Sequence, residues 1–333
     1  MILTADLHIT DKLIQGRPRL SVGLGVLQQI YVYAKNNDSV VFILGDLFDS
    51  KNRITFRTLL AIYEFFEKHQ DVKWYLLRGN HCSPDRANPE ESVLSLFRHV
   101  CTVIAQPTYA NGIVWMPWYP AKMYMEKLKA IQLQGKTNYL FSHIGLKGGA
   151  VSQSNYHPPS DISADELFEI HPWQMVLLGD YHLAQQIGNK PCYYLGAPMA
   201  HEFGEIGCGV WKLTETGLLG NLPIRAPAFK SWKIVKGARG LDLLDYDKAD
   251  YNRITAPVEV HERFKEQYPD AELLSEPGAR EVETSPVLLD DQDSLPVLME
   301  EYLRIRGLVA EKDWLMPLGL SIVSKLKKEA VEA

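Results

Sequence analysis

The feature that most constrains the fold of this chain is a short apolar run that ends at a polar turn, repeated along the sequence. Runs rich in Val, Ile, Leu and aromatic residues are typical of buried strands. Five such runs, at 1–3, 40–44, 72–77, 139–141 and 175–178, lead into turns that carry Asp6 and His8, Asp46, Asn80 and His81, His143, and Asp180 and His182.

The segments between these runs have the length and period of helices. From Leu20 to Lys35 and from Phe56 to Lys68, apolar residues recur every three or four positions. Alternation of strands and helices predicts an α/β layered fold with a sheet buried on both faces. Ligands bind at the carboxyl ends of the strands in such sheets, where all five turns are expected to lie.

The charge distribution directs attention to the first 230 residues. The chain of 333 residues has a net charge of −6, which does not indicate nucleic-acid binding. Residues 231–333 hold 21 Asp and Glu against 14 Lys and Arg, so the preceding part is nearly neutral. Nine of the ten histidines also lie in residues 1–230, and we therefore expect the chemistry there.

The apolar stretches and the cysteines indicate a cytoplasmic protein. No apolar stretch approaches the ~18 residues that cross a bilayer, and we expect neither membrane association nor a secretory leader. The four cysteines lie 16 or more residues apart and form no Cys-x-x-Cys pair. This spacing argues against a zinc ribbon or a disulfide scaffold and fits a reducing compartment.

Four regions are predicted along the chain. Residues 1–230 form the main domain, and residues 231–275 form a small α/β or β-rich domain. Residues 276–294 are rich in proline and acidic side chains, a composition typical of a flexible linker. Residues 295–333 contain apolar residues at helical spacing and predict two short amphipathic helices suited to docking on a partner.

The polar residues of the five turns predict a centre for two divalent metal ions. Carboxylate and imidazole ligands without a thiolate suit Mn²⁺, Mg²⁺, Fe or Zn²⁺ in an open site. The turns offer more ligands than one ion requires, and two ions ~3.5–4 Å apart with a shared carboxylate would use the whole set. Such a pair stabilises both oxygens of an in-line displacement at phosphorus, so the residues favour phosphoester hydrolysis.

Together, these motifs resemble the calcineurin-like metallophosphoesterase superfamily, in order and roughly in spacing. The segments 45–50, 194–198 and 203–205 are also similar to the SbcD family, the nuclease subunits of bacterial and phage recombination complexes. The resemblance implies a β-sandwich flanked by helices. It further implies that Asp6, His8 and His182 hold one ion, that Asp46 bridges, and that Asn80, His143 and Asp180 hold the second.

The resemblance also implies that His81 faces the scissile phosphate, where it protonates the leaving oxygen or stabilises the transition state, and reasoning from the turn agrees that it is not a ligand. Adjacent residues in a tight turn do not easily reach the same ion, so Asn80 as a ligand leaves His81 free. Two positions depart from the family pattern: Asp180 replaces a usual histidine, and Cys82 replaces a usual aspartate. We expect Asp180 to favour Mn²⁺ or Mg²⁺, and the loss of an aspartate at 82 leaves the orientation of His81 open.

Several other residues are interpreted without a family role. Asp49 is expected to accept hydrogen bonds in its loop, and the histidines at 69, 99, 157, 171, 201 and 261 are interpreted as surface or packing residues. Six basic residues near the first two metal turns are phosphate-contact candidates, with a solvated charged surface as the alternative: Lys12, Arg17, Arg19, Lys51, Arg53 and Arg57.

The SbcD resemblance implies a DNA nuclease with 3′–5′ exonuclease activity on duplex ends and endonuclease activity on single strands and hairpins. It implies a homodimer that uses two Mn²⁺ or Mg²⁺ ions and a capping domain at 231–275 that helps bind DNA. The C-terminal helices would dock on an SMC-like ABC ATPase of the SbcC type, and ATP would act only through that partner. The alternatives are a small-molecule or protein phosphoesterase and a non-catalytic binding subunit.

Overall fold

The computed structural model describes residues 1–275 apart from positions 51, 84, 86–87, 134–138, 152–159, 215, 218, 235–242 and 244–245. The strands, in chain order, are β1 (Ile2–Thr4), β2 (Leu13–Ile14), β3 (Arg17–Pro18), β4 (Val41–Leu44), β5 (Trp74–Leu77), β6 (Thr102–Ile104), β7 (Thr108–Ala110), β8 (Ile113–Met116), β9 (Tyr139–His143), β10 (Met175–Gly179), β11 (Gln185–Gln186), β12 (Cys192–Tyr194), β13 (Trp211–Leu213), β14 (Leu219–Asn221), β15 (Phe229–Lys233), β16 (Tyr251–Ala256) and β17 (Glu272–Ser275). The α-helices are α1 (Arg19–Asn36), α2 (Phe56–Lys68), α3 (Ala121–Ala130), α4 (Ala164–Ile170) and α5 (His261–Gln267).

Two six-stranded sheets contain most of these strands. The first has the order β14-β13-β1-β4-β5-β6, in which β1, β4, β5 and β6 run parallel. The second has the order β11-β12-β10-β9-β8-β7, in which β8, β9, β10 and β12 run parallel. Antiparallel strands are confined to the edges of both sheets.

The two sheets pack face to face, and alternate side chains of each central strand point to opposite, apolar faces of its sheet. Along β4, Phe42 and Leu44 belong to the core between the sheets, whereas Val41 and Ile43 face the core under α1 and α2. This alternation is the period of two that an extended chain imposes. On the other sheet, α3 and α4 cover the outer face. The prediction of an α/β layered sandwich flanked by helices is confirmed.

The helix boundaries follow from local sequence signals. Thr55 caps α2 by accepting a hydrogen bond from the amide of Thr58. Ser163 and Glu166 form a reciprocal capping box at the start of α4. The predicted helices at 20–35 and 56–68 match α1 and α2 within one residue at each end. None of the helices in the described residues is long and apolar enough to cross a membrane.

A third sheet follows the sandwich in the chain. Strands β15, β16 and β17 are parallel, and α5 packs on them through a small core that includes Ile254 and Phe264. The proposed domain boundaries at 230 and 275 stay predictions. The linker predicted at 276–294 and the docking helices predicted at 295–333 lie outside the described residues.

Candidate metal centre

The carboxyl ends of five parallel strands meet at one edge of the sandwich. Each of these strands ends at or just before one of the polar turns predicted from the sequence. Six of the eight candidate side chains line one cavity of about 420 Å³, and the other two, Asp6 and His143, are buried behind it. The structure brings the following candidate residues together, by strand: Asp6 and His8 after β1, Asp46 after β4, Asn80 and His81 after β5, His143 at the end of β9, and Asp180 and His182 after β10.

The backbone of four site residues adopts the left-handed region. The φ angles of Asp6, His8, Asp46 and Asp180 are 54°, 42°, 47° and 105°. Such conformations cost about 1 kcal/mol or more each for residues other than glycine and cluster at functional sites. Backbone bonds between the turns hold them, since the amide of His8 donates to the carbonyl of Asp46 at 2.9 Å. The sandwich therefore holds these residues in a backbone conformation that aspartate and histidine rarely adopt by themselves.

Glycine is required where the two sheets meet behind the site. Gly45 has a φ of +99°, and a Cβ at this position would overlap Nδ1 of His143. A Cβ at Gly179 would overlap the backbone carbonyl of Leu44. These glycines allow the imidazole of His143 to approach the neighbouring strand closely enough to bond to it.

The first group of candidate ligands consists of Asp6, His8 and His182, whose ligating atoms lie within 4.8 Å of one another. Nε2 of His182 lies 3.1 Å from Nε2 of His8. On its other side, Nδ1 of His182 lies 2.6 Å from Oε1 of Glu205 and donates to this carboxylate. This bond leaves the Nε2 lone pair of His182 pointing toward His8, as metal-ligating histidines require.

The second group surrounds the buried imidazole of His143. Its Nδ1 donates to the carbonyl of Leu44 at 2.7 Å, so in the neutral ring that a metal ion would bind, Nε2 carries the lone pair. This Nε2 lies 3.1 Å from Oδ1 of Asn80, 3.3 Å from Oδ2 of Asp46 and 3.6 Å from Oδ1 of Asp180. Three oxygen ligands from three different turns thus lie within 3.6 Å of this nitrogen.

The donor set fits two divalent cations. Oδ1 of Asn80 and Nε2 of His143 both present lone pairs at 3.1 Å, an arrangement that needs a cation or a proton between them. Oδ2 of Asp46 lies between the groups, 3.7 Å from Nε2 of His8 and 3.3 Å from Nε2 of His143. Carboxylate, amide and imidazole ligands suit hard and borderline ions such as Mn²⁺ and Mg²⁺.

The pKa values of two buried residues also indicate that the centre favours a bound positive charge. Burial raises the pKa of Asp6 to about 6 against the effect of His143. Burial alone would lower the pKa of His143, but the carboxylates of Asp46, Asp6 and Asp180 raise it to about 10. Without bound ions, His143 is therefore expected to carry a proton at neutral pH, in the place where a cation would otherwise balance the carboxylates.

His81 lies beside the ligands, and one of its ring nitrogens is within 4.8 Å of ligating atoms of His8 and Asp46. It lies in a short 3₁₀ turn at Asn80–Cys82, where its amide donates to Oδ1 of Asp46 at 2.9 Å. Its Nδ1 donates to the backbone carbonyl of Asp49. Nε2 is therefore the acid–base atom that His81 offers to the cavity, which its side chain lines. A backbone carbonyl here orients the imidazole, so the loss of an aspartate at position 82 does not leave it without support.

The two departures from the family pattern have distinct settings. The side chain of Asp180 lies among the second group of ligands, and its amide donates to the carboxylate of Asp6 at 3.1 Å. Cys82 is buried beneath the turn, away from solvent. Burial, with a smaller effect of Asp46, raises the pKa of its thiol to about 12.

The cysteines are expected to be unreactive in the native protein. Cys82, Cys101 and Cys192 are buried, and burial raises the pKa of each thiol to about 12. Because the thiolate is the nucleophile, a disulfide reagent at pH 8 should modify these three only slowly, whereas in guanidinium chloride all four cysteines should react within minutes. A spectrophotometric thiol count measures both rates. Rapid native labelling of Cys82 would show that its turn opens.

Sequence reasoning missed two residues of the centre. Glu205 holds Nδ1 of His182, and its other oxygen accepts from the amide of His201 at 2.7 Å. Nε2 of His201 donates to the carbonyl of Asp6 at 2.9 Å. The interpretation of His201 as a surface or packing residue is wrong, because it lines the cavity. The available signal was its position between the two segments, 194–198 and 203–205, that are similar to the SbcD family.

The basic candidates do not form one surface. Lys12 and Arg19 line the cavity; Lys12 forms an ion pair with Asp49 at 2.5 Å. Arg19 is buried, and its Nη1 has no hydrogen-bond partner among the described residues. Arg17 instead donates to the carbonyls of Ala249 and Asp250. The remaining candidates do not line this cavity in the described structure: Arg53 and Arg57 are exposed elsewhere, and Lys51 lies outside the described residues.

Two comparisons relate the chain to known proteins. The nuclease MPE of Pseudomonas putida is a similar solved structure, with 17% sequence identity and a TM-score of 0.29; the alignment covers 54% of this chain and 60% of that chain. No curated protein matches the chain significantly. The sequence profile of the calcineurin-like phosphoesterases matches residues 1–207, a range that includes every candidate ligand. The chain therefore belongs to the calcineurin-like phosphoesterase family, whose members hydrolyse phosphoesters with bound divalent metal ions.

Proposed function

We propose that this protein is a two-metal DNA nuclease of the SbcD type. The observation that carries the proposal is the placement of Asp46 between two groups of ligands, beside a half-buried histidine in an open cavity. Asp6, His8 and His182 would hold one ion, and Asn80, His143 and Asp180 the other, with Asp46 shared. When bound, such ions stabilise the charge that develops on the attacking and leaving oxygens of a phosphodiester.

The chain's own residues would complete the reaction. His81, held through Nδ1 by the carbonyl of Asp49, directs Nε2 to the cavity and would donate a proton to the leaving oxygen. Glu205 fixes the ring of His182, and Leu44 fixes the ring of His143. Ligand rings fixed in this way lose little freedom when ions bind, which favours a preorganised site.

Nucleic acid is the favoured substrate for reasons of shape and charge. The cavity is open rather than enclosed, and Lys12 and Arg19 place cationic groups on its wall. The guanidinium of Arg19 is held from below, since its Nη2 donates to the carbonyl of Ala200 at 2.7 Å and the group lies over the rings of Phe229 and Tyr251. Its Nη1 has no hydrogen-bond partner among the described residues, and a phosphate at the cavity wall would supply one. An extended phosphodiester chain fits such a site better than a compact monoester does.

The partner assignments are part of the same proposal. We expect a homodimer in the cytoplasm, joined through residues 295–333 to an SMC-like ABC ATPase of the SbcC type. ATP would act through that partner. Co-purification of the full chain with its ATPase, compared with a chain that ends at residue 294, tests this assignment. Equal recovery of the partner with both chains would contradict it.

Removal of metal tests the proposed activity. The full chain is stripped with EDTA and returned to Mn²⁺ or Mg²⁺, with end-labelled duplex DNA, single-stranded DNA and p-nitrophenyl phosphate as substrates. We expect no cleavage without metal, restoration by Mn²⁺, and a much larger kcat/KM for DNA than for the monoester, because the cavity is open and Lys12 and Arg19 line it beside the metal ligands. Salt should weaken DNA affinity, because phosphate contacts release counterions.

The outcomes of this experiment separate the candidate functions. Efficient hydrolysis of the monoester alone would favour a small-molecule or protein phosphoesterase. Metal binding and DNA binding without hydrolysis of any substrate would favour a non-catalytic binding subunit. Cleavage that persists after complete metal removal would contradict the assignment of the centre itself.

A further inference from the structure

A buried arginine begins the turn that carries Asn80 and His81. Arg78 directly follows β5, and none of its side chain is exposed to solvent. Burial of a charged group is costly unless polar partners compensate for the lost water. A buried cation next to a metal-binding turn therefore calls for an account of what its guanidinium binds.

The guanidinium of Arg78 contacts three separate segments of the chain. Its Nε donates to the carbonyl of Ala105 at 3.1 Å. Its Nη1 donates to the carbonyl of Trp118 at 2.6 Å and to Oγ of Ser83 at 3.3 Å. The group also lies over the ring of Tyr119, 4.5 Å from the ring centroid. All three hydrogen-bond acceptors are neutral, so the side chain serves as a branched donor and not as half of an ion pair.

These contacts fasten the turn to both sheets of the sandwich. Ser83 directly follows the 3₁₀ turn, so its bond to Arg78 joins the two ends of segment 78–83. Ala105 follows β6 of the first sheet, whereas Trp118 lies beyond β8 of the second sheet. The amide of Trp118 also donates to the carbonyl of Arg78 at 3.0 Å. One side chain thus ties a turn of the first sheet to the second sheet.

The second group of candidate ligands spans the same two sheets. Asn80 and Asp46 follow strands of the first sheet, and His143 and Asp180 come from strands of the second. Oδ1 of Asn80 lies 3.1 Å from Nε2 of His143. This separation depends on how the turn that begins at Arg78 is held against the second sheet. The first group of ligands contains no residue of this turn.

We propose that Arg78 is a positioning residue for Asn80, and through it for the second metal ion. The inference rests on the proposed two-metal centre and deepens it. Only a guanidinium presents donors in a fixed planar fork that reaches several acceptors at once. Hydrogen bonds that support a metal ligand from behind typically change metal affinity 10- to 100-fold. Arg78 therefore governs the affinity of the second ion and not that of the first.

A manganese titration of the metal-free protein tests the inference. The full chain is stripped with EDTA and titrated with Mn²⁺, and the EPR signal of free Mn²⁺ counts the bound ions. We expect two ions in the wild type. Arg78→Lys keeps the charge but loses the fork, so one ion should bind with wild-type affinity and the other 10- to 100-fold more weakly. Ser83→Ala removes one acceptor and should show a smaller loss for the same ion.

A ligand variant identifies which ion is affected. Asn80→Ala removes a ligand of the second group directly and should weaken the same ion. Added to Asn80→Ala, the Arg78→Lys substitution should have little further effect on Mn²⁺ binding, because residues that act on one site are not additive. Full additivity of the two substitutions would contradict an action of Arg78 through Asn80.

A further variant controls for lost stability. Phe66 is buried on α2 and does not line the cavity, so Phe66→Leu should lower the melting temperature and keep both ions. Two ions at wild-type affinity in Arg78→Lys, or equal weakening of both, would overturn the inference. If Arg78→Lys does not fold, wild-type affinities in Ser83→Ala would overturn it instead. Cleavage of end-labelled DNA is measured separately: a wild-type chain that binds two ions without cleavage would overturn the nuclease function and not the role of Arg78.

Discussion

Replacing Asp46 by asparagine is expected to reduce DNA cleavage about 10³-fold and to lower the number of bound metal ions. Oδ2 of Asp46 lies between His8 and His143, within 3.7 Å of Nε2 of each. Asparagine keeps the shape and can still accept from the amide of His81, but it removes the charge that two cations would share. Initial rates and elemental analysis of the bound metal measure the two effects.

Asp71→Asn is the matched control for this substitution. Asp71 is an exposed carboxylate that pairs with Lys35 on the surface, outside the cavity. Its replacement should leave cleavage and metal content unchanged, which isolates the effect of position from the loss of one negative charge. Wild-type metal content together with wild-type activity in Asp46→Asn would contradict the bridging role.

His81→Gln should separate catalysis from metal binding. The side chain of His81 lines the cavity, and we propose it as the proton donor to the leaving oxygen. Its loss is therefore expected to lower kcat between 10²- and 10⁴-fold, the range typical of general acids. Metal content should stay at the wild-type value, unlike that of Asp46→Asn. His99→Gln, an exposed histidine that does not line the cavity, is the control. Loss of metal from His81→Gln would identify His81 as a ligand, since it also lies near His8 and Asp46.

The layered fold and the meeting of the polar turns could be predicted from the sequence because both follow from local patterns. An apolar run predicts a buried strand, and parallel strands bring their carboxyl ends to one edge of the sheet. Asp46 and His143 therefore belong to one edge, although they are distant in sequence.

The supporting contacts could not be predicted in the same way. Glu205 and His201 lie in a segment without regular strands or helices, where no period indicates which side chain faces the site. Arg17 was a phosphate candidate by proximity to the first metal turn, but carbonyls more than 230 positions away bind its guanidinium. Such long-range contacts depend on how two sheets are placed, which a local pattern does not contain.

A large loss of stability and of metal binding is also expected from the substitution of one glycine, Gly45, which is not itself a metal ligand. Gly45 lies between β4 and Asp46, with a φ of +99°. Alanine there is strained by its φ, at about 1–2 kcal/mol, and its Cβ would also overlap Nδ1 of His143. The imidazole must then leave its bond to the carbonyl of Leu44, which is what aims Nε2 at Asn80 and Asp46. Both the fold and the second ligand group are therefore disturbed by one methyl group.

In a domain of this size, each 1 kcal/mol of lost stability lowers the melting temperature by roughly 2–4 °C. Gly45→Ala is expected to lower it by more than this amount and to lose bound metal and activity together. Gly188→Ala is the matched control: its φ is +62°, but no described atom lies within 4 Å of the added Cβ. It should show only the strain of its φ, with full metal content. If Gly45→Ala matched Gly188→Ala in melting temperature and metal content, the close approach of His143 to β4 would not be what positions the second group of ligands.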